Sequence, residues 1–553
     1  MPKHETNEVS SVNEDRAFGR PSIGHVSYDE LEGLSLFEKK CVLINKEMDS
    51  NGMGRYQWCI WSLCGFGYLL DLLWAQAFGL ILGSLKQELG FAASESGNIS
   101  VAFSSGLTAG AFIWGVLVDI IGRKWAFNLT CMFSAVFGLA LGGCNTYTSF
   151  LVVTAFVGFG VGGNIPIDTT ITLEFLPQNR RFLLALLSIF QPIGVVVTSG
   201  LAYAYIPPYS CHPNFASIDG TPLPSCRAVP AGEACCTKAS NMGWRYLVYT
   251  LGAITIFIFF LRFGVFRFKE SPKFLVYRGH DEQAVAVLEH IAKFNKRQCG
   301  LTLADLDGLS SDEDSNTSAA ELLGGGAKRM KSSWKEKFML EMARYKMLFE
   351  TWPMVWITAL VWLTYICDFW GFTLAGYYLP IILAEKNAAI QITLKETYRS
   401  YMAIYTPGIV AVMIGALMYR VPSVGRKWTM VISSGLMGAS IFIYSTVNSL
   451  ASNIGLNMME YFFQSMFNAV LYGWTPEVFP SPIRGTACGL ASFWGRLFGI
   501  IAPLTAQHVF PKEEEGADPG AYNKVLYLAG GISLGCVLTT ALLPNRSIGK
   551  DSM

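Results

Sequence analysis

Residues 182–206, 246–266 and 527–543 form long runs with almost no charged side chain. Each approaches the ~20 residues that an α-helix needs to cross ~30 Å of hydrocarbon. Backbone polar groups in lipid must be paired internally, so repeated runs of this kind leave few folds open other than a bundle of spanning helices. Of 553 residues, 52% are apolar and only 15% charged. A soluble domain has about a quarter of its residues charged, so this chain cannot cover a soluble surface and reads as a polytopic membrane protein. The formal net charge of +1 gives no sign of a nucleic-acid partner. The first twenty residues are polar and lack the apolar core of a signal peptide, so the first spanning helix is expected to direct insertion.

The hydropathy pattern predicts an all-α membrane protein with twelve transmembrane helices, at about 58–82, 98–118, 125–144, 149–170, 183–206, 245–266, 353–381, 402–421, 429–448, 453–475, 487–507 and 523–543. Lys and Arg concentrate in alternate connections: Arg123 and Lys124, Arg180 and Arg181, the segment 267–346, Arg426 and Lys427, and Arg484. The opposite connections at 142–149 and 448–453 carry none. The positive-inside rule then places both termini in the cytoplasm, and a plasma-membrane location is expected. The predicted organisation is a cytoplasmic segment 1–57, a six-helix bundle 58–266, a cytoplasmic loop 267–352, a second bundle 353–543 and a tail 544–553. Within the loop, Ala284, Val287, Leu288 and Ile291 have helical spacing and predict a short amphipathic helix over 280–297. Residues 310–320, followed by three glycines at 324–326, read as a disordered linker. The basic stretch 328–346 reads either as a segment along the anionic inner leaflet or as a solvated connector.

One piece of punctuation occurs twice. Glu174, Pro177 and Arg181 fit E-x-x-P-x-x-x-R, and so do Glu477, Pro480 and Arg484. Gly122-Arg123-Lys124 precedes the first copy by 52 positions, and Gly425-Arg426-Lys427 precedes the second by 52 as well. The copies are 303 residues apart throughout (477 − 174). Two unrelated bundles would not keep that ruler, so the chain reads as a tandem repeat of six-span units in the same orientation, with an interface near the midplane.

Gly115, Asp119, Gly122, Arg123 and Lys124 together fit G-x-x-x-D-x-x-G-R-K between spans two and three. Gly115 permits a close helix approach, Gly122 a turn with positive φ, and Asp119 can accept from Arg123 and from a helix N-terminus. With these motifs the chain resembles the major facilitator superfamily, from Gly52 to Pro544. It is most similar to that family's sugar-porter and synaptic-vesicle-protein-like branch, in its fungal form. The residues that carry this are Glu270-Ser-Pro-Lys-Phe-Leu275 after span six, Pro476-Glu-Val-Phe-Pro480 with Arg484-Gly485 after span ten, and Ile44-Asn-Lys46 with Gly52-Met-Gly-Arg-Tyr-Gln-Trp58 before span one. The resemblance implies the fold of that family, two pseudo-symmetric six-helix bundles. It also implies that Glu174, Arg181, Glu477 and Arg484, with the two Gly-Arg-Lys turns, are inter-helix ion-pairing residues that gate the inner side. Simple positive-inside anchoring would explain the arginines but not the two glutamates.

Charges within the spans bear on the solute, since each costs on the order of 2.5–3.5 kcal/mol at mid-helix and should face a cavity or a partner. Asp71 lies in span one, Asn164 and Asp168 in span four, Gln191 in span five and Asp368 in span seven. Arg496 in span eleven reads as the one arginine deep within a span. Glu460, Gln464, Asn468 and Tyr472 follow one another at i+4 steps in span ten, a polar stripe that lines water or bonds a neighbouring helix. A carboxylate facing a dry cavity can take up a proton and carry it across. The resemblance implies coupling through an Asp in span one, matched by Asp71, and an Arg opening span four, where this chain has Thr154. Asp168 and Arg496 are candidate substitutes. The family's Q-Q-x-x-G-x-N stretch in span seven is missing from 366–373, which disfavours a hexose. A buried Arg496 suits a carboxylate-bearing solute, because its charge is permanent. Trp74, Trp370 and Trp494 read as packing residues before ring-stacking ones.

Four of thirteen cysteines, Cys211, Cys226, Cys235 and Cys236, share one outer loop and predict two disulfides. Adjacent Cys235 and Cys236 are poor partners for each other, which leaves two connectivities. His212 nearby has no metal-ligand spacing, so no metal site is expected. Asn98 carries a glycosylation sequon on the outer face, close against span two.

The leading expectation is a monomeric secondary transporter in the lipid bilayer. It would move a small polar or anionic organic solute by alternating access, with protons as the coupling ion and no cofactor. No phosphate-binding G-x-x-x-x-G-K-[ST] motif points to ATP. An efflux pump for a secondary metabolite or toxin would share these motifs. A non-transporting receptor or sensor is a further alternative, and nothing resembling an enzyme's catalytic set converges.

Overall fold

The computed structural model describes residues 22–23, 26–27, 34–92, 95–214, 220–230, 232–265, 268–314, 345–388, 393–421, 425–446, 449–479, 483–509 and 519–544. The predicted linker beyond Asp314, most of the basic stretch, Pro480 and the side chain of Asp119 fall outside the described set.

Helices occupy all twelve expected span positions. Spans one to three are Arg55–Leu89, Gly97–Ile121 and Arg123–Leu141. Span four is Tyr147–Gly162 continued by Asn164–Phe175, with a turn at Gly163 ahead of Pro166. Span five runs through Phe182–Leu186, a 3₁₀ turn Leu187–Ile189 and Phe190–Tyr205. Pro192 has no N–H for the carbonyl of Ser188, so the turn before it tightens. Span six is Gly243–Phe260 with a π turn Leu261–Val265. Spans seven to twelve are Trp352–Ala388, Leu394–Tyr405 with Pro407–Tyr419, Gly425–Tyr444, Leu450–Val478, Arg484–Val509 and Pro519–Leu542. Ten of these are long and apolar enough on their own to cross a membrane. The other two, Gly425–Tyr444 and Leu450–Val478, have 20 and 29 residues. They miss that standard because buried Ser433, Ser434, Ser440, Asn453, Asn457 and Gln464 lie on them. Among the described residues the only paired strands are Ser22–Ile23 and Val26–Ser27.

Spans one to six pack together, as do seven to twelve, and the two sets meet along spans two with eleven and five with eight and ten. Repeat symmetry exchanges two for eight and five for eleven, so each half brings the same pair of helices to the seam. The approach at span two is backbone to backbone. A Cβ on Gly489 would sit 2.9 Å from the Cα of Gly115, and one on Gly115 would sit 3.0 Å from the Cα of Gly489.

On the side assigned to the cytoplasm, here the inner side, a cap of short helices covers the first bundle. The helix predicted over 280–297 is Asp281–Phe294. It packs with Leu36–Asn51, Pro272–Tyr277 and Leu303–Asp314. The last of these corrects the linker reading for residues 310–314, which are helical. Leu36–Asn51 begins at a capping box of Ser35 and Glu38, ends at Gly52 with φ 56°, and buries Leu43, Ile44 and Met48. Lys40 and Asp281 are paired at 2.5 Å, and Asp49 accepts from the backbone N–H of Gln178 at 2.6 Å, joining the cap to the inner end of span four.

The outer loop docks on the end of span one. Glu88 receives Arg245 at 2.7 Å and the Trp244 indole N–H at 2.9 Å, while Asn241 donates to the carbonyl of Ser84 at 2.7 Å. Of the two connectivities left open, the loop adopts Cys211–Cys236 with Cys226–Cys235. Asn98 is exposed at the second residue of its helix.

Candidate functional site

At mid-depth the seam opens into a cavity of about 50 Å³, room for a few waters. The first bundle contributes Asp71, Leu72, Gln191 and Pro192, and the second Asp368, Phe369, Phe372, Val412, Tyr461, Gln464, Ser465, Asn468 and Tyr472. Five expected pathway residues therefore share one space: Asp71, Gln191, Asp368, Gln464 and Asn468.

An ion pair bridges the halves beside the cavity. Arg496 Nη2 donates to Asp71 Oδ1 at 3.0 Å across a separation of 425 residues, and Arg496 Nε donates to Ser492 Oγ at 3.1 Å. Arg496 is 2% exposed and Asp71 8%. Arg496 Nη1 is buried with no partner among the described residues. In the second bundle's wall, Gln464 Nε2 donates to Asp368 Oδ1 at 2.9 Å, while Gln464 Oε1 and Asn468 Oδ1 have no partner among the described residues.

Asp168 lies elsewhere. It is held inside the first bundle by Arg262, whose Nη2 donates to Asp168 Oδ2 at 3.1 Å. Arg262 also donates to the carbonyls of Leu63 at 2.9 Å and Phe127 at 3.1 Å, and its guanidinium lies 3.9 Å over the Phe127 ring. The pair needs Gly67, where a Cβ would fall on Asp168 Oδ2. Both members are fully buried, so Arg496 is not the one deep arginine. Arg262 sits only a few residues from the inner end of its span, where an arginine reads as a membrane anchor; an Asp in the neighbouring span was the signal that could have found it. Asn164, a turn before Asp168, is also buried, with neither amide atom partnered among the described residues. Glu460 does not reach the central cavity either. With Ser440, Tyr444 and Asn457 it lines a separate space of about 20 Å³ within the second bundle. Trp74 is buried and donates to Thr255 Oγ1 at 3.2 Å, Trp370 packs on Phe498, and Trp494 packs on Trp362.

The inner ends carry the repeated motif as two equivalent ion pairs. Arg123 meets Glu174 at 3.3 Å and Arg426 meets Glu477 at 2.9 Å, and both members shift by the same 303 positions. Each pair staples span three to four, or nine to ten, inside one half, rather than one half to the other. Between the halves, Arg484 lies within electrostatic reach of Glu174 and Arg181 and donates from Nε to the carbonyl of Pro476 at 2.6 Å. Gly122, at φ 98°, makes room for Glu270, which accepts from the backbone N–H groups of Arg123 at 2.9 Å and Lys124 at 3.3 Å. Burial pushes the Glu270 carboxyl above its usual range, against the pull of the Arg123 guanidinium and those N–H groups. Gly425 opens span nine with φ 34°, and Lys427 is half-buried beside it. At the outer end Tyr398 closes the seam, donating to the carbonyl of Leu80 at 2.7 Å.

Two six-helix bundles around a shared cavity, stapled alike at their inner ends, define a membrane transporter. Residues 64–503 match the Major Facilitator Superfamily, and the chain belongs to that family. It is 34% identical to MFS siderochrome iron transporter 1 of Ceriporiopsis subvermispora, covering 99% of this chain and 98% of that protein. It is 32% identical to the major facilitator-type transporter hxnZ of Emericella nidulans, covering 85% and 82%. The xylose transporter XylE from E. coli, solved in a partially occluded inward-open conformation, superposes with a TM-score of 0.61 at 14% identity, covering 88% of this chain and 98% of that one. That likeness is one of fold.

Proposed function

We propose that this protein is a secondary active transporter that carries a small, carboxylate-bearing organic solute by alternating access, coupled to a proton. It would work in the plasma membrane, with both termini inside. The observation that carries this reading is the Asp71–Arg496 pair, a buried salt bridge that joins the two halves at the wall of their shared cavity. Removing one partner of a buried pair costs about 3–5 kcal/mol, because the other charge is left uncompensated. The halves therefore cannot part at this level unless both charges are otherwise satisfied. A proton on Asp71 neutralises one, and a solute carboxylate on Arg496 compensates the other. Arriving together they free the seam; arriving singly, either leaves a buried charge exposed to the apolar interior. That requirement links the movement of solute and proton without a further device.

The test is uptake into proteoliposomes under an imposed pH gradient, screened with radiolabelled small carboxylates. Asp71→Asn is expected to abolish gradient-driven accumulation while keeping solute exchange at equal pH. Arg496→Lys is expected to raise KM for the carboxylate by about tenfold, since the fork geometry of the guanidinium is lost. Accumulation at the wild-type level by Asp71→Asn would overturn the coupling, and an unchanged KM in Arg496→Lys would overturn carboxylate recognition.

A further inference from the structure

The central cavity meets groups of opposite charge. Behind Asp71 in its wall, Arg496 donates to Asp71 and Ser492 and keeps Nη1 buried, a donor with no acceptor among the described residues. In the wall itself, Asp368 is 1% exposed, takes a single hydrogen bond, from Gln464, and pairs with no cation among the described residues. Around it stand two acceptors without donors, Oε1 of Gln464, itself 2% exposed, and Oδ1 of Asn468. The charges at the site are then one positive and two negative. With the transported proton on Asp71, Arg496 and Asp368 are left, one charge of each sign. Aromatic rings of Phe369, Phe372 and Tyr472 share the lining with it, a surface that favours a cation over an anion.

A plain carboxylate does not fit this arrangement. It would satisfy Arg496 but place a second unpaired anion in the same dry space as Asp368, where an uncompensated charge is costly. A plain amine would satisfy Asp368 and leave the Arg496 donor empty. We infer that the solute is a small zwitterion, with a carboxylate that binds Arg496 and an N–H-bearing cationic group that binds Asp368, Gln464 Oε1 and Asn468 Oδ1. This rests on the proposed recognition of a carboxylate and adds the second charge. The cation has three acceptors and the carboxylate one donor, so the solute's two charges are held by different groups. With a cavity of about 50 Å³, its frame between the two charges is short.

Binding to the purified full chain in nanodiscs tests this with two matched sets: β-alanine, propionate and propylamine, and 4-aminobutyrate, butyrate and butylamine. In at least one set the zwitterion is expected to bind at least about tenfold more tightly than either analogue, the worth of one hydrogen bond to a charged group. Asp368→Asn removes that advantage, and propionate and butyrate bind at least as tightly as before, because the anion near them is gone. Gln464→Met weakens the zwitterion in the same sense and serves if the first variant does not fold. Carboxylates that bind as well as their zwitterions, or a zwitterion preference unmoved in Asp368→Asn and Gln464→Met, would overturn the zwitterion while leaving carboxylate recognition intact. A proton on Asp368 would then be its compensating charge. Carboxylate binding unaffected by Arg496→Lys, or no binding by any of the six compounds, would overturn both.

Discussion

At the residue scale, the cost of a charge in lipid orders the molecule. The described structure holds Asp71 against Arg496 and Asp168 against Arg262, each pair with both members buried. Lys273, on the inner helix Pro272–Tyr277, faces the same pressure outside the membrane. Burial pushes its ammonium down from 10.5 to about 8, with Arg484 and Arg181 adding to the fall and Cys41 and Glu174 opposing it. Between those two values the unfolded chain holds the proton and the folded one does not, so stability rises with pH across that window. Thermal unfolding of the protein in nanodiscs should show a midpoint that climbs from pH 8 toward pH 10, and Lys273→Met should flatten the climb. A slope equal in the two proteins would contradict it. Asp71, Gln191, Asp368, Gln464 and Asn468 were legible in the sequence as polar residues in apolar helices, because hydrocarbon tolerates none without a reason. Their partners were not legible. Nothing in the spacing ties Asp71 to a residue 425 positions away.

At the element scale, apolar length alone marked all twelve spans, and the two least apolar of them are nine and ten. Their serines, asparagines and Gln464 are packed inward, which lowers the hydropathy of both helices. The cap helix Leu36–Asn51 escaped notice because its apolar face is narrow and its sequence rich in lysine and glutamate. Its start was written in Ser35 and Glu38 as a capping box all the same. The contact of spans two and eleven tests whether the inner gate is a packing device. Gly489→Val would drive a side chain into the backbone of Gly115, which has no flexible end to yield. Hydrogen exchange at 111–118 and 485–492 should quicken by about tenfold or more, and transport should slow as the inner ends lose their closed position. Unchanged exchange there would show that the two glycines do not set the closure.

At the scale of the whole molecule, the 303-residue ruler is the feature the sequence displays most openly. The structure gives it a physical form in two inner ion pairs, Arg123–Glu174 and Arg426–Glu477, one per half. Because these staples are internal to each half, they stiffen the bundles as bodies, and the seam is crossed by other contacts, among them Gly115 with Gly489, Asp71 with Arg496 and Tyr398 with Leu80. Contacts at the inner end, the middle and the outer end of one seam are what a rocking motion would have to break in turn. Distances between spin labels, measured by pulsed electron paramagnetic resonance in nanodiscs, report that motion directly. One pair of labels belongs at the exposed inner positions Asn179 and Val421, and the other at the exposed outer positions Tyr209 and Lys395. As pH and a transported carboxylate are varied, the inner distance should lengthen when the outer one shortens, and in Asp71→Asn the alternation should still respond to the carboxylate but no longer to pH. Two distances that stay fixed, or that grow and shrink together, would contradict a pair of rigid halves turning about a shared polar seam.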